Sequence, residues 1–299
     1  MEDWEIVWLT FAIFGAVKIL CVILPWLYWK LFCCINLKQY SDGYVCITGA
    51  TDGIGKALTK EFARRGFKIL MISRNQSKLE NVKREIEALY ANSEIQFIQA
   101  DFSMSHKNAE EFFASLNEKL KNYEISVLVN NVGVSDKKDL LNEDDGIIEN
   151  QIGVNIYPST LLAYYLIPEF LKRYEVGKKR SLIINFSSTA ELGYFPNSAV
   201  YSATKKYNHF FSEATAYEYK QCIDTATIRP GVVITDLSAT MKIQKYPLTV
   251  LPDDYAKSLL GSLRTGVSYG HWKHFIFGNF LTFLPFPIQS FIIQRLMPL

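Results

Sequence analysis

Short apolar runs alternate with amphipathic stretches through the middle of the chain, and both ends are dominated by apolar residues. Six runs read as strands: Tyr44–Thr48, Lys68–Ser73, Ile95–Ala100, Ser126–Asn130, Leu182–Ser187 and Thr225–Arg229. Helical spacing fills about Gly53–Arg65 and Gln76–Tyr90, then the long stretches Asp144–Tyr174 and Ser198–Tyr219. Strands that are apolar and alternate with helices belong to a parallel sheet covered on both faces. The expected fold class is therefore α/β, a doubly wound parallel sheet. No internal repeat or low-complexity linker interrupts it.

The ends follow another rule. From Ile6 to Leu31 the chain is almost wholly apolar, and about 20 such residues cross a bilayer as a helix. Trp4, Trp26, Tyr28 and Trp29 stand near the ends of this run as interfacial aromatics. It carries no small-residue cleavage site, so it reads as a retained transmembrane anchor. Lys18 and Pro25 interrupt it and keep a re-entrant or interfacial helix as the alternative. Glu2, Asp3 and Glu5 precede the run while Lys30 and Lys38 follow, which places the following domain on the cytosolic or matrix side. The C-terminal run from His274 is rich in Phe, Leu and Ile, but Pro285 and Pro287 argue against a second straight span. Amphipathic helices lying against the bilayer are expected there, with a hydrophobic lid or core helix as the alternative. The implied organisation is an anchor over 1–35, a sheet domain over 36–270 and a membrane-associated apolar segment over 271–299, the first boundary falling near Asn36–Gly43.

Composition sharpens this in two places. Hydrophobic residues make up 49% of the 299 residues and charged ones 21%, with a net charge of +2. No basic run is present, so a nucleic-acid surface is not expected. The cysteines Cys21, Cys33, Cys34, Cys46 and Cys222 form no C-x-x-C pair and read as reduced thiols. Cys33 and Cys34, just after the anchor, read as small apolar residues or as acylation sites. His106, His209, His271 and His274 make no metal-binding pattern, so no metal is expected.

Candidate chemistry lies at the ends of the strands. The first strand runs into Thr48-Gly49-Ala50-Thr51-Asp52-Gly53-Ile54-Gly55. A glycine-rich turn from strand to helix lets backbone approach a pyrophosphate, and the helix N-terminus supplies N–H groups and a positive dipole end. This makes the fold Rossmann-type and assigns Gly49, Thr51, Asp52, Gly53, Ile54 and Gly55 to a dinucleotide. Arg74 ends the second strand where an acidic residue would bind the adenosine ribose. A guanidinium there suits a 2′-phosphate, so NADP(H) is expected over NAD(H). Asp101 after the third strand and Asn131 after the fourth sit at the same ligand-binding edge. Tyr201 and Lys205, four residues apart, share one helix face. An ammonium beside a phenol lowers its pKa and makes Tyr201 a general acid for ketone reduction. A hydroxyl of Ser187 or Ser188 reaches a carbonyl oxygen as charge develops. Asn155, an amide inside a long helix, could hold a water that relays protons to Lys205. Pro230 and Gly231 make a rigid turn whose following amides, with Val233 and Thr235, reach the nicotinamide.

Taken together, TGATDGIG, NNVG, Asn155, YSATK and RPGVVIT resemble the short-chain dehydrogenase/reductase family, in the family's order over roughly Tyr44 to Ser238. The family's serine–tyrosine spacing selects Ser188. TGATDGIGKA, ISR followed by KL, LVNNVG, and YSATK followed by FFS and EY are similar to the membrane-bound branch of 17β-hydroxysteroid dehydrogenases of types 3 and 12 and very-long-chain 3-oxoacyl-CoA reductases. That resemblance implies NADPH-dependent reduction of a hydrophobic ketone, a 3-oxoacyl-CoA or a 17-ketosteroid, at the endoplasmic reticulum membrane with the catalytic domain facing the cytosol. Val132 stands where the family commonly has alanine, and the end QRLMPL lacks the dilysine retrieval signal of some members, which keeps the mitochondrial inner membrane as an alternative. The implied roles are carbonyl orientation by Ser188, proton donation by Tyr201, ribose binding and pKa control by Lys205, and relay support by Asn155. A homodimer or residence in a membrane complex is compatible with the sequence. The competing readings are a structural accessory subunit of such a complex that retains the cofactor fold, and a soluble steroid-binding or sensor module with NADP(H) as a ligand, which would not need the four catalytic residues together.

Overall fold

The interior strands are buried along nearly their whole length and so must be covered on both faces. The computed structural model, which describes residues 3–136, 138–142, 144–193, 195, 197–240 and 247–296, shows how this is done. Glu2 and the last three residues of the apolar C-terminal run lie outside the described residues. The strands are β1 (Tyr44–Thr48), β2 (Lys68–Ser73), β3 (Ile95–Gln99), β4 (Ile125–Asn130), β5 (Ser181–Phe186), β6 (Ile223–Ile228) and β7 (Gly266–Ser268). They form one sheet in the order β3-β2-β1-β4-β5-β6-β7, with each described pairing parallel. The direction of winding reverses between β1 and β4, which opens a crevice at the carboxyl ends of the strands.

The helices are α1 (Asp3–Phe32), α2 (Gly53–Arg64), α3 (Gln76–Leu89), α4 (Ala109–Leu120), α5 (Asp145–Gly177), α6 (Ala199–Tyr219), α7 (Asp236–Thr240), α8 (Pro252–Gly261), α9 (Trp272–Phe283) and α10 (Phe286–Leu296). Alternation along the strands splits the core into two layers. Cys46, Leu70, Leu128 and Ile183 turn to one face and meet Phe113 of α4 and Leu162 and Phe170 of α5. On the other face α2 packs against both α3 and α8. The sequence leaves α4, α8 and β7 without bounds. Three residues, as in β7, are too few to show a period.

The chain divides into two units, Met1–Ile35 and Asn36–Leu299. In the first, α1 is a single helix running through Pro25. Trp4–Tyr28 is 25 residues with mean hydropathy 2.4, and at 1.5 Å per residue it exceeds the roughly 30 Å of a hydrocarbon core. In the second unit the apolar C-terminal segment forms α9 and α10 and packs into the same unit as the sheet. Phe277, Leu281 and Ile293 are buried with Tyr201. The opposite side of α9 exposes Trp272, Ile276 and Phe280 at helical spacing, and α10 exposes Ile288 and Phe291. The segment thus has an inner face that covers the cleft, as a lid or core helix would, and an outer face that is also apolar.

Entry into the second unit is pinned at the amino ends of the strands. Tyr40 is fully buried, and its hydroxyl donates to Asp224 at 2.6 Å. Arg180 donates to both Asp224 oxygens at 2.7 and 2.8 Å. The Tyr40 carbonyl accepts from Ser126 Oγ at 2.6 Å. Tyr40→Phe keeps the ring but removes one hydrogen bond to a charged acceptor. We expect a loss of about 2 kcal/mol, read as a lower urea midpoint at unchanged slope.

Candidate active site

The glycine-rich turn after β1 is built by close backbone approach. Gly49 and Gly53 have φ of +65° and +50°, a region that favours glycine. A Cβ on Gly55 would lie 2.1 Å from the Gly49 carbonyl oxygen, and one on Gly53 would lie 2.9 Å from Thr235 Cγ2. The Asp52 carboxylate caps α2 by accepting from Gly53 N at 2.7 Å and pairs with Lys78 at 3.3 Å. Its pKa is lowered: burial opposes ionisation, but hydrogen bonds from Asp236, Gly53 and Lys78 outweigh it. Thr51 Oγ1 and Ser73 Oγ lie 2.8 Å apart and tie the turn to the end of β2. There the Arg74 carbonyl accepts from Gln99 at 3.0 Å, while its side chain is exposed and makes no ion pair or hydrogen bond among the described residues. The turn therefore has the shape and helix N-terminus that a dinucleotide pyrophosphate requires.

Two candidates serve this frame from within. Asn131 Nδ2 donates to the Thr48 carbonyl at 3.0 Å, and its backbone N donates to Thr48 Oγ1 at 3.0 Å, so its side chain fixes the end of β1. Asp101 caps a short turn by accepting from Ser103 N at 3.0 Å.

One cleft gathers Ile54, Ser188, Tyr201, Pro230, Val233 and Thr235. Its remaining wall is largely apolar and includes Phe195, Val232, Phe277 and Ile293. Ser188 and Tyr201 line this cleft together, and the Ser188 side chain is near enough to the phenol to pull its pKa down. Ser188 Oγ also accepts from Ala190 N at 3.1 Å, which holds the serine at the head of a short 3-10 turn, residues 189–192. Ser187 turns away to Glu191 and the Lys205 carbonyl, at 2.5 and 2.7 Å.

Lys205 lies behind the tyrosine, 4% exposed, with Nζ 5.7 Å from the Tyr201 ring centre and 3.4 Å from the Phe186 carbonyl. Asn155 is next to it: a Cβ on Gly133 would sit 3.1 Å from Lys205 Nζ and 3.3 Å from Asn155 Oδ1. The Asn155 amide clamps Val134, accepting from its N at 2.8 Å and donating to its O at 2.9 Å, and donates to Thr204 Oγ1 at 3.0 Å. In this geometry its amide is committed to shaping the Lys205 pocket.

The electrostatics differ from the sequence expectation at Tyr201. Burial raises the phenol pKa above its ordinary value and the Ser188 side chain pulls it only partly back. The ammonium is expected to lower it, but Lys205 Nζ lies 5.7 Å from the ring centre and is not among the causes that set the phenol's pKa. Burial also drives the Lys205 pKa down to about 8.

The sequence reading missed several residues of the site. Glu191 has a fully buried side chain, 2.8 Å from His209 Nδ1 and 2.5 Å from Arg229 Nη2. His274 of α9 is buried and its Nε2 lies 3.2 Å from the Val232 carbonyl, in the loop after β6. Desolvation lowers its pKa to about 4, so the ring stays neutral and donates from Nε2. Phe277 and Ile293 complete the cleft wall. Only the apolar C-terminal composition pointed toward these last two.

The pattern of the family described as short chain dehydrogenase matches residues 43–245. The chain belongs to the short-chain dehydrogenase family. Among curated proteins it is 35% identical over 272 residues to a very-long-chain 3-oxoacyl-CoA reductase of Caenorhabditis elegans, covering 88% of this chain and 82% of that one. It is 36% identical to very-long-chain 3-oxoacyl-CoA reductase-B of Danio rerio (81% and 76% covered) and 34% identical to hydroxysteroid dehydrogenase-like protein 1 of Gallus gallus (80% and 71% covered). Among solved structures, a short-chain dehydrogenase from Sphingobium yanoikuyae in complex with NADPH superposes with a TM-score of 0.67 at 23% identity, over 76% of this chain and 87% of that one. A 3-ketoacyl-(acyl-carrier-protein) reductase from Brucella melitensis complexed with NADH gives 0.64 at 27% identity, over 76% and 96%. Membership of the short-chain dehydrogenase family makes the chain an oxidoreductase that works with a nicotinamide cofactor.

The buried ammonium has a measurable cost. Its pKa falls from the ordinary 10.5 to about 8, roughly 3 kcal/mol of burial penalty below pH 8. The penalty fades as pH rises from 8 to 10.5, because the folded state sheds its proton first. Lys205→Met is therefore expected to raise the Tm of the cofactor-free protein by several degrees at pH 7 while abolishing turnover. Scanning calorimetry beside an activity assay checks both.

Proposed function

We propose that this short-chain dehydrogenase reduces the keto group of a hydrophobic substrate with NADPH, with a long-chain 3-oxoacyl-CoA as the first substrate class and a 17-ketosteroid as the second. The observation that carries the reading is the meeting of Ser188 and Tyr201 in an apolar cleft that also holds Ile54 of the glycine-rich turn and Thr235 of the loop after β6. The names of the nematode and zebrafish relatives favour the acyl class, and that of the chicken relative keeps the steroid in view.

A dinucleotide held by the glycine-rich turn and the loop after β6 would supply the hydride. Ser188 holds the carbonyl oxygen as negative charge develops on it. Tyr201, kept protonated at neutral pH by burial, donates its proton to that oxygen. The Lys205 ammonium supplies a positive field behind the phenol and is within the same pocket as Asn155, which keeps that pocket's shape. The apolar walls exclude water and bind the chain of the substrate. Arg74, exposed at the end of β2 and uncommitted among the described residues, is suited to a 2′-phosphate. Gly49, Gly53, Gly55, Thr51 and Asp52 would hold the pyrophosphate end, and Pro230, Val233 and Thr235 the nicotinamide end.

The same reading sets the protein in a membrane, at the endoplasmic reticulum with the catalytic unit on the cytosolic side. The length of the apolar span in α1 and the order of charges around it support this. The exposed row Trp272, Ile276 and Phe280 has the composition of a face that lies on lipid.

The test is NADPH oxidation by the purified full-length protein with a long-chain 3-oxoacyl-CoA and with a 17-ketosteroid. Tyr201→Phe is expected to lower kcat by about 10²- to 10⁴-fold. A wild type as inert as Tyr201→Phe toward both ketones, in a protein that co-purifies with a membrane assembly, would favour the accessory-subunit reading. In the same assay Arg74→Asp should move preference from NADPH toward NADH by roughly 10²-fold, the loss of a bidentate charged contact of about 3 kcal/mol. An unchanged cofactor ratio would remove Arg74 from the 2′-phosphate site.

A further inference from the structure

The fully buried carboxylate of Glu191 is the second charged group close to the proposed reaction centre, and it does not line the cleft. It touches three elements. Ser187, at the end of β5, donates its hydroxyl to Glu191 Oε2 at 2.5 Å. His209 of α6 pairs with the carboxylate at 2.8 Å, and Arg229 at the end of β6 pairs at 2.5 Å. Arg229 is held from its other side by Tyr269, whose ring centre is 5.5 Å from the guanidinium carbon.

Each of these elements carries part of the site. Ser188 follows Ser187 and heads the turn that contains Glu191. Tyr201 and Lys205 are on α6 with His209, and the Lys205 carbonyl lies 2.7 Å from the Ser187 hydroxyl. Pro230 follows Arg229, and its carbonyl accepts from Thr189 N at 2.9 Å. The carboxylate is thus the common partner of the serine turn, the tyrosine–lysine helix and the nicotinamide loop. The attraction of His209 and Arg229 overcomes burial and lowers the Glu191 pKa, which keeps it charged.

We infer that Glu191 is a positioning residue: its buried ion cluster with His209 and Arg229 sets Ser188 against Tyr201 and the Pro230 loop for reduction. This rests on the reductase reading above. Catalytic groups displaced by about 1 Å lose on the order of 10²-fold in rate, and Glu191 joins the three elements at the end nearest Ser188 and Pro230.

Glu191→Gln keeps the shape and removes the charge. Wild type, Glu191→Gln and the double variant Glu191→Gln/Arg229→Gln are compared as full-length proteins. In Glu191→Gln, kcat is expected to fall about 10²-fold while the KM for NADPH changes less than about threefold. The double variant removes the uncompensated guanidinium, so its Tm should recover toward wild type while kcat stays low. A kcat that recovers together with Tm means the cluster only balances charge, and overturns the inference. So does a kcat within about threefold of wild type in Glu191→Gln. Amide hydrogen exchange of residues 186–193 with NADPH bound gives a readout free of turnover. It should quicken at least about tenfold in Glu191→Gln, with residues 44–60 unchanged, and unaltered exchange of 186–193 also overturns the inference. A wild type inert toward every ketone, with faster exchange in the variant, would sink the reductase reading and leave the positioning role standing.

Discussion

A lysine ammonium with no carboxylate beside it among the described residues is the constraint around which the centre of this molecule is arranged. Burying such a charge costs several kcal/mol unless something replaces its water. At Lys205 the replacement is incomplete: one carbonyl at 3.4 Å, an aromatic face and a nearby amide oxygen. The pKa near 8 records the remaining cost. A carboxylate partner would relieve it but would also cancel the positive field that the proposed mechanism places behind the phenol. The surroundings are accordingly neutral and rigid. Asn155 spends its amide on both backbone groups of Val134, and Asn208 holds the Asn155 carbonyl at 2.9 Å. The rest of the sheet keeps this pocket dry, with β4 and β5 buried along their entire lengths.

The negative charge that a buried ammonium invites is instead placed one layer away. Glu191 is compensated by His209 and Arg229, not by Lys205. On the proposed reading, this separation would let one charge act on the phenol while the other holds the backbone. Ser187 and Ser188 show the division in adjacent residues: one hydroxyl turns inward to the carboxylate, and the other residue lines the cleft with Tyr201.

Much of this was legible in the sequence because it is local. Strands β1 and β2 fall where their apolar runs place them, and β3 differs by one residue at its end. The glycine-rich turn and the i, i+4 pair of Tyr201 and Lys205 are short patterns whose geometry follows from strand, turn and helix. What was hidden is non-local. Glu191, His209 and Arg229 are 18 and 20 residues apart along the chain, in three different elements, and only the sheet order makes them neighbours. The direction of the Tyr201 pKa was also hidden, since spacing on a helix does not say whether an ammonium meets the hydroxyl or the ring. Asn131 had been assigned to the cofactor from its place at a strand end, but its side chain is turned to Thr48.

The apolar C-terminus shows why composition alone leaves a segment ambiguous. Phe277, Leu281 and Ile293 are buried, while Trp272, Ile276, Phe280, Ile288 and Phe291 are exposed. A lid helix on a soluble enzyme would carry polar residues on that second side. A helix that only lies on lipid would have no use for His274, whose buried ring holds the Val232 carbonyl in the loop after β6. With both features on α9, the surface suited to lipid and the wall of the cleft are two sides of one helix. On the proposed reading, a hydrophobic substrate dissolved in a bilayer would have to pass only the edge of α9 or α10 to reach Ser188 and Tyr201, without exposing its chain to water. The cost of moving each buried CH₂ into water, about 0.8 kcal/mol, makes that route increasingly favourable as the chain lengthens.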